Sequence, residues 1–157
     1  FELVYMDNDG IEKRPIMIHR TIFGSIERFF GVLIEHFAGR FPFWISPLPL
    51  RLIPVADRHV PFAEECRKAL RSAGFICDID DSNESVGKKI REAQLQQINY
   101  MLTVGDREVE NQTVNVRRRD NIVCGEIDIP SLIELIRKET NERSLTPHVM
   151  ANEAHSS

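Results

Sequence analysis

Between residues 50 and 141 the chain alternates short apolar runs with helical patterns, and this limits its fold more than any other feature. Residues 50–55 are a short apolar run interrupted only by Arg51, which reads as a buried strand. Phe62, Cys66, Ala69, Leu70 and Ala73 then recur at helical spacing, and Gly74 closes the pattern. Residues 75–79 read as a second strand. Val86, Ile90, Ala93 and Ile98 mark a second helix, with Lys88, Lys89, Arg91 and Glu92 on its wet side. Residues 100–104 give a third strand. Residues 113–118 and 122–129 give two more, joined at Asp120-Asn121. A last helix opens near Pro130-Ser131, where proline is tolerated in the first turn, and runs to about Asn141. A β-α-β-α-β start requires right-handed crossovers. The expectation is an α/β fold: a mixed, mostly parallel five-stranded sheet flanked by helices.

The N-terminal part follows a different pattern. Residues 1–6 read as a strand, Asn8-Asp9-Gly10 as a hairpin-type turn, and residues 15–19 as the returning strand. Ile26, Phe29, Phe30, Leu33, Ile34 and Phe37 then fit a helix with one buried face. Ser25 stands at its N-cap position and Gly39 at its end. Arg28 falls in the first turn, where the helix dipole favours negative charge. An arginine there, beside Gly24-Ser25, suggests a site for an anionic or aromatic ligand. Residues 41–49 contain Pro42, Pro47 and Pro49, so they read as a linker. The expected division is residues 1–47, residues 48–143 and a polar, disordered tail over residues 144–157.

Composition narrows the function classes. The chain has 157 residues, a net charge of −4, 42% hydrophobic and 28% charged residues, as in an ordinary globular protein. That length allows one domain, or one domain and a piece of another. No apolar run approaches the ~20 residues of a membrane helix, and no signal peptide is visible. The mild acidity argues against nucleic-acid binding by bulk charge and leaves room for a local basic surface. Cys66, Cys77 and Cys124 are widely spaced, odd in number and without a Cys-x-x-Cys pair. They read as buried thiols in a reducing compartment, with the cytoplasm as the expected location and an organelle matrix as the alternative. The chain begins with Phe1, so a fragment or processed product is expected.

One string carries a resemblance. His19-Arg20-x-x-x-Gly24-Ser25-x-Glu27-Arg28, the apolar helix, Ala38-Gly39 and Phe41-Pro42-x-Trp44-x-x-Pro47 closely resemble motif 3 of class II aminoacyl-tRNA synthetases, in its threonyl version. The likeness runs to about residue 144. It implies the strand–helix end of the antiparallel catalytic domain, followed by an α/β anticodon-binding domain. The implied activity of the complete enzyme is threonine–tRNA ligation, with L-threonine attached to tRNA-Thr through an adenylate formed from ATP. By resemblance, Arg28 stacks on the adenine of ATP, and Ser25 lies against the threonine pocket. His19 is a zinc ligand whose partners lie upstream. Zinc with an open position can chelate the amino and hydroxyl groups of threonine, which its isostere valine cannot match. Zinc, ATP and magnesium are therefore expected in the complete enzyme. This piece alone is expected to hold none of them and to be inactive. The complete enzyme is expected to be a homodimer, with no membrane partner.

The resemblance also implies that the second domain reads single-stranded anticodon bases. The segment 113–119 alternates, with Val114 and Val116 on one face and Asn115, Arg117 and Arg119 on the other. Arg117 falls on an arginine that contacts an anticodon guanine, and Glu108 on a glutamate that contacts the anticodon. Asn83 and Arg91 match two further anticodon contacts. A basic row on a strand is otherwise a solvated face or a protected edge. One rival reading is a stand-alone RNA-binding or accessory module with the same fold and no ligase chemistry. The other is a flavodoxin-like or regulatory domain. It would need a phosphate loop, and Val55-Ala56-Asp57-Arg58-His59 has no glycine to form one.

Overall fold

The structure is a computed structural model that describes residues 2–150. It divides into two compact units, Phe1–His36 and Phe37–Ser157.

In the first unit, β1 (Tyr5–Met6) and β2 (Glu12–Lys13) form an antiparallel hairpin, with Tyr5 opposite Lys13. Gly10 closes the turn at a φ of +69°, a conformation that favours glycine, and donates to the Asp7 carbonyl at 2.9 Å. The returning strand lies at residues 12–13 rather than 15–19. Pro15 has no N–H for a ladder, and residues 14–19 carry no strand. Helix α1 (Ile26–Phe37) opens where its cap predicts. Ser25 Oγ accepts the backbone N–H of Arg28 at 3.2 Å, and the Ser25 carbonyl accepts that of Phe29 at 3.1 Å. The rings of Phe23 and Phe29 lie 4.4 Å apart across that cap. The expected buried face of α1 is absent, since none of its residues is buried. A short hairpin and one helix do not make the second layer that burial requires.

The second unit begins with what the sequence suggested was a linker. A 3-10 turn, Phe43–Ile45, buries Phe43 against Phe75 and Tyr100, with ring centroids 5.8 and 5.7 Å away. The Phe41 carbonyl accepts from Asn99 Nδ2 at 3.0 Å and from Arg119 Nη1 at 2.7 Å. These contacts group residues 37–47 with the second compact unit.

The main sheet has the order β4-β3-β5-β6-β7. Strand β3 (Leu50–Pro54) leads through a 3-10 turn, Asp57–His59, into α2 (Val60–Ser72) and β4 (Cys77–Ile79). Then follow α3 (Val86–Leu95), β5 (Tyr100–Val104), α4 (Asp106–Asn111), β6 (Thr113–Arg118), β7 (Val123–Asp128) and α5 (Ile129–Asn141). β3 pairs in parallel with β4 and β5, while β5–β6 and β6–β7 are antiparallel. The sheet is thus mixed and mostly parallel as expected, with β6 running against the other four strands. The cause of that reversal is α4, which returns the chain within six residues, too few for a crossover.

The two faces differ. On one, Ala63, Cys66 and Leu70 of α2 and Leu132 and Ile136 of α5 pack on Leu50, Leu52, Tyr100, Leu102, Val114 and Val116. On the other, Ala93 of α3 packs with Ile53, Ile98 and Met101. Beside that small core, the buried Arg51 donates to both oxygens of the partly exposed Asp78 on β4, which holds the guanidinium pKa above its ordinary value. Lys89 is not on the wet side of α3. It is 5% exposed, and its ammonium donates to the Asp80 carbonyl at 3.0 Å. The expected disordered tail is also corrected over residues 144–150. Val149 is fully buried, and its carbonyl accepts from the Cys124 thiol at 3.5 Å. Residues 151–157 of that tail lie outside the described residues. Among the described residues no helix is long and apolar enough to cross a membrane.

Candidate nucleic-acid interface

The α3 side of the sheet is only partly covered. Cross-strand partners share a face, so Thr103 and Met101 of β5 place Asn115 and Arg117 of β6 on the α3 side. Met101 is buried, whereas Thr103, Asn115 and Arg117 stay partly exposed. This leaves a polar shelf beside α3, bounded at one end by the loops that follow β3, β4 and β5.

Glu108 stands at that end on α4. Its Oε2 accepts the backbone N–H of Gly105 at 2.9 Å, which caps the helix and fixes the carboxylate. A side chain at Gly105 would meet Glu108 Oε2 at 3.0 Å, so glycine lets the cap close. Two sets of contacts pin α4. Asp106 accepts from Arg58 and from His59 Nε2, the latter at 2.9 Å. His59 Nδ1 meanwhile accepts the Ala56 N–H at 3.2 Å, which leaves its proton on Nε2 for Asp106. Arg58 first, then His59, holds the Asp106 carboxyl well below the usual carboxylate range. On the sheet, Glu126 of β7 lies 2.8 Å from Arg107 Nε and accepts from Asn111 Nδ2 at 3.2 Å.

Asn83 is exposed in the loop between β4 and α3. It lines a polar cleft of about 160 Å³ with Val55, Asp57, Asp81, Ser82 and Lys89. The Lys89 bond to Asp80 ties this loop to α3. Val55 also faces the Gly105 position, 3.6 Å from where its Cβ would stand, so Asn83 and Glu108 flank one end of the shelf.

Arg117 belongs to the other end. Arg117 Nη1 donates to Asn121 Oδ1 at 2.7 Å, and Gln94 Nε2 of α3 donates to the same oxygen at 3.2 Å. Arg91 lies three residues before Gln94, on the same side of α3. The four residues singled out by sequence are thus spread along α3, with Asn83 and Glu108 at one end, Arg117 at the other and Arg91 on the helix between Lys89 and Gln94. Arg119 leaves the expected row. β6 ends at Arg118, and Arg119 turns to the Phe41 carbonyl, where burial lowers its pKa from the ordinary value.

The sequence reading missed Asn121, Gln94, the Arg58–Asp106–His59 contact and α4 itself. Signals existed for two of these. Gly105 followed three residues later by Glu108 has capping-box spacing, and an Asn in a hairpin turn tolerates the left-handed conformation.

In the first unit, Ser25 serves as the helix cap, and Arg28 and His19 are exposed. Among the described residues no group of three His, Cys, Asp or Glu side chains could hold a metal ion. His19 alone does not make a tetrahedral zinc site, so the residues present do not fit zinc by themselves.

Comparison with known proteins bears on this geometry. The family described as "Anticodon binding domain" matches residues 50–139. The chain is 55% identical over 152 residues to the threonine–tRNA ligase of Protochlamydia amoebophila (strain UWE25), covering 96% of this chain and 23% of that protein. It is 56% identical over 147 residues to that of Chlamydia felis (strain Fe/C-56), covering 94% and 23%. It therefore spans about a quarter of the length of these relatives. Among solved structures, the RNA binding domain of threonyl-tRNA synthetase from Cryptosporidium parvum Iowa II matches with a TM-score of 0.71 and 36% identity, over 81% of this chain and 32% of that one. Prolyl-tRNA synthetase from Cryptosporidium parvum matches at 0.58 and 28%, over 64% and 22%. With the mixed sheet, the helix-flanked shelf and a match across more than half of its length, the chain belongs to the anticodon-binding domain family.

Proposed function

We propose that this chain is the C-terminal part of a threonine–tRNA ligase and that its second unit reads the anticodon of tRNA-Thr. The observation that carries the reading is the polar shelf, with Arg117 linked through Asn121 to Gln94 of α3, in a chain 55% identical to a threonine–tRNA ligase over 96% of its length. Unpaired bases offer their edges to side chains. The Arg117 fork suits the paired acceptors of a guanine edge. One Glu108 oxygen is taken by Gly105, and the other remains to accept from a base N–H. Asn83 supplies both a donor and an acceptor, and Arg91 supplies charge near the RNA backbone.

In the complete enzyme, Ser25 lies at the threonine pocket, Arg28 stacks on the adenine of ATP, and His19 supplies one zinc ligand beside others outside this chain. The guanidinium plane of Arg28 suits stacking, a role that lysine does not fill. The complete enzyme is a homodimer that uses magnesium and works in the cytoplasm, and the three buried free thiols suit a reducing compartment. The 157-residue chain alone does not charge tRNA, which a threonine-dependent pyrophosphate-exchange assay tests.

The deciding experiment measures binding of an anticodon stem–loop RNA of tRNA-Thr and of a version with a substituted anticodon, at two salt concentrations. Arg117→Ala is expected to cost about 1–3 kcal/mol, mainly on the correct anticodon, by analogy with other bidentate base contacts. Lys88→Ala is expected to weaken both RNAs alike and reduce the salt dependence. Equal weakening of both RNAs by Arg117→Ala, or none, refutes the reading.

A further inference from the structure

We propose that Asn121 is a specificity-positioning residue, whose side-chain carbonyl presets the Arg117 guanidinium and joins it to α3, so that an unpaired RNA base meets a preformed fork. The proposal rests on the reading of Arg117 given above.

The backbone around Asn121 is fixed without its side chain. The Arg118 N–H donates to the Ile122 carbonyl, and the Asn121 N–H to the Arg118 carbonyl, both at 2.9 Å. Asn121 itself sits at a φ of +69°, as the last residue of a three-residue hairpin loop commonly does. Its side chain is therefore available for another task. Oδ1 accepts Arg117 Nη1 at 2.7 Å and Gln94 Nε2 at 3.2 Å, which fills both lone pairs. Arg117 keeps Nη2 and Nε for a ligand.

The β6–β7 register shifts between Val116 and Arg117, with Gly125 at a φ of +92° opposite Val116. The extra residue is Cys124, so β7 bends at the point where it pairs with Arg117. A long arginine loses rotamer freedom when it binds, and a contact that orders it beforehand reduces that loss. Gln94 adds a second restraint. It fixes the turn to the helix that carries Arg91, so the two arginines keep one spacing.

The test uses the 157-residue chain and the two stem–loop RNAs described above. Asn121→Gly keeps the left-handed turn and removes the acceptor. It is expected to lower affinity for the correct anticodon by roughly threefold to tenfold. The ratio between correct and substituted anticodon falls with it, at an unchanged salt slope. Asn121→Asp keeps an acceptor and tolerates the turn, so it is expected to hold the ratio near that of the parent. Arg117→Ala/Asn121→Gly is expected to match Arg117→Ala alone, because the asparagine acts only through the arginine. A merely structural role would give an additive loss and no rescue by aspartate, and either result overturns the proposal. If Arg117→Ala lowers the ratio while Asn121→Gly leaves it intact, the positioning role fails and the anticodon reading stands. If Arg117→Ala leaves the ratio intact, both fail.

Discussion

The contact that ties the centre of the sheet to the C-terminal segment makes a sharp prediction. The Tyr100 hydroxyl donates to Glu139 Oε2 at 2.6 Å, and the same oxygen accepts the His148 N–H at 2.9 Å. Tyr100 is 1% exposed and Glu139 2%. Burial, reinforced by the Glu139 carboxylate, pushes the phenol pKa above its ordinary range. Tyr100→Phe keeps the ring and its packing, and removes one charge-assisted hydrogen bond in apolar surroundings. Such bonds contribute about 1.5–3 kcal/mol, so a loss of about 2 kcal/mol is expected. In a chain of this size that lowers Tm by about 4–8 °C. Glu139→Gln keeps an acceptor without the charge and is expected to cost about half as much. The sign with pH follows from linkage. Above about pH 10 the unfolded chain releases the Tyr100 proton while the folded chain keeps it, so stability falls as pH rises there. Tyr100→Phe lacks that alkaline component. Urea unfolding followed by circular dichroism, at neutral pH and above pH 10, measures both effects. A neutral-pH loss smaller than about 0.5 kcal/mol refutes the claim that this bond stabilises the fold.

Two further predictions concern titratable groups. Arg58 and His59 lower the Asp106 pKa, so that its contribution is present above the unfolded value of about 4 and is lost as pH falls below it. Asp106→Asn is therefore expected to flatten the acid limb of unfolding, and an acid limb identical to that of the parent counts against the contact. Burial, as the leading cause, pushes the Cys66 thiol up to about 11 and the Cys77 thiol up to about 12. Both are expected to react slowly with a thiol reagent at pH 8 in the folded chain and promptly in urea; fast labelling of either in the folded chain contradicts their burial.

The elements that the sequence made legible are those with their own periodic signal. α2, α3 and α5 each bury one stripe, and β3 and β5 are short apolar runs, so pattern and structure agree on all five. α4 has only six residues and no buried one, so no period could reveal it. Lys89 was misplaced because a residue type says nothing about a carbonyl waiting nearby in the fold. Phe43 and Val149 were misread for a related reason. Each lies in a proline-bearing, aperiodic stretch, and each is buried by partners far away in sequence. At the candidate site, resemblance supplied the side chains with chemistry. It could not supply Asn121 or Gln94, whose roles exist only once the β6–β7 turn meets α3.

The position of β3 bears on how this chain is made. Leu50 pairs with Cys77 on one side and with Tyr100 on the other, so the first strand of the main sheet to be made is completed on both edges by segments synthesised much later. During translation, Leu50, Leu52 and Ile53 leave the ribosome on a strand with two open edges. Closing the first edge waits for β4, and closing the second waits for β5. Pairings of such long sequence separation form slowly, and a bare apolar edge invites another nascent chain. The hairpin of β6 and β7, by contrast, closes over the few residues of its turn. Slowing the ribosome after residue 104 should therefore raise the soluble yield more than the same pause placed before residue 77.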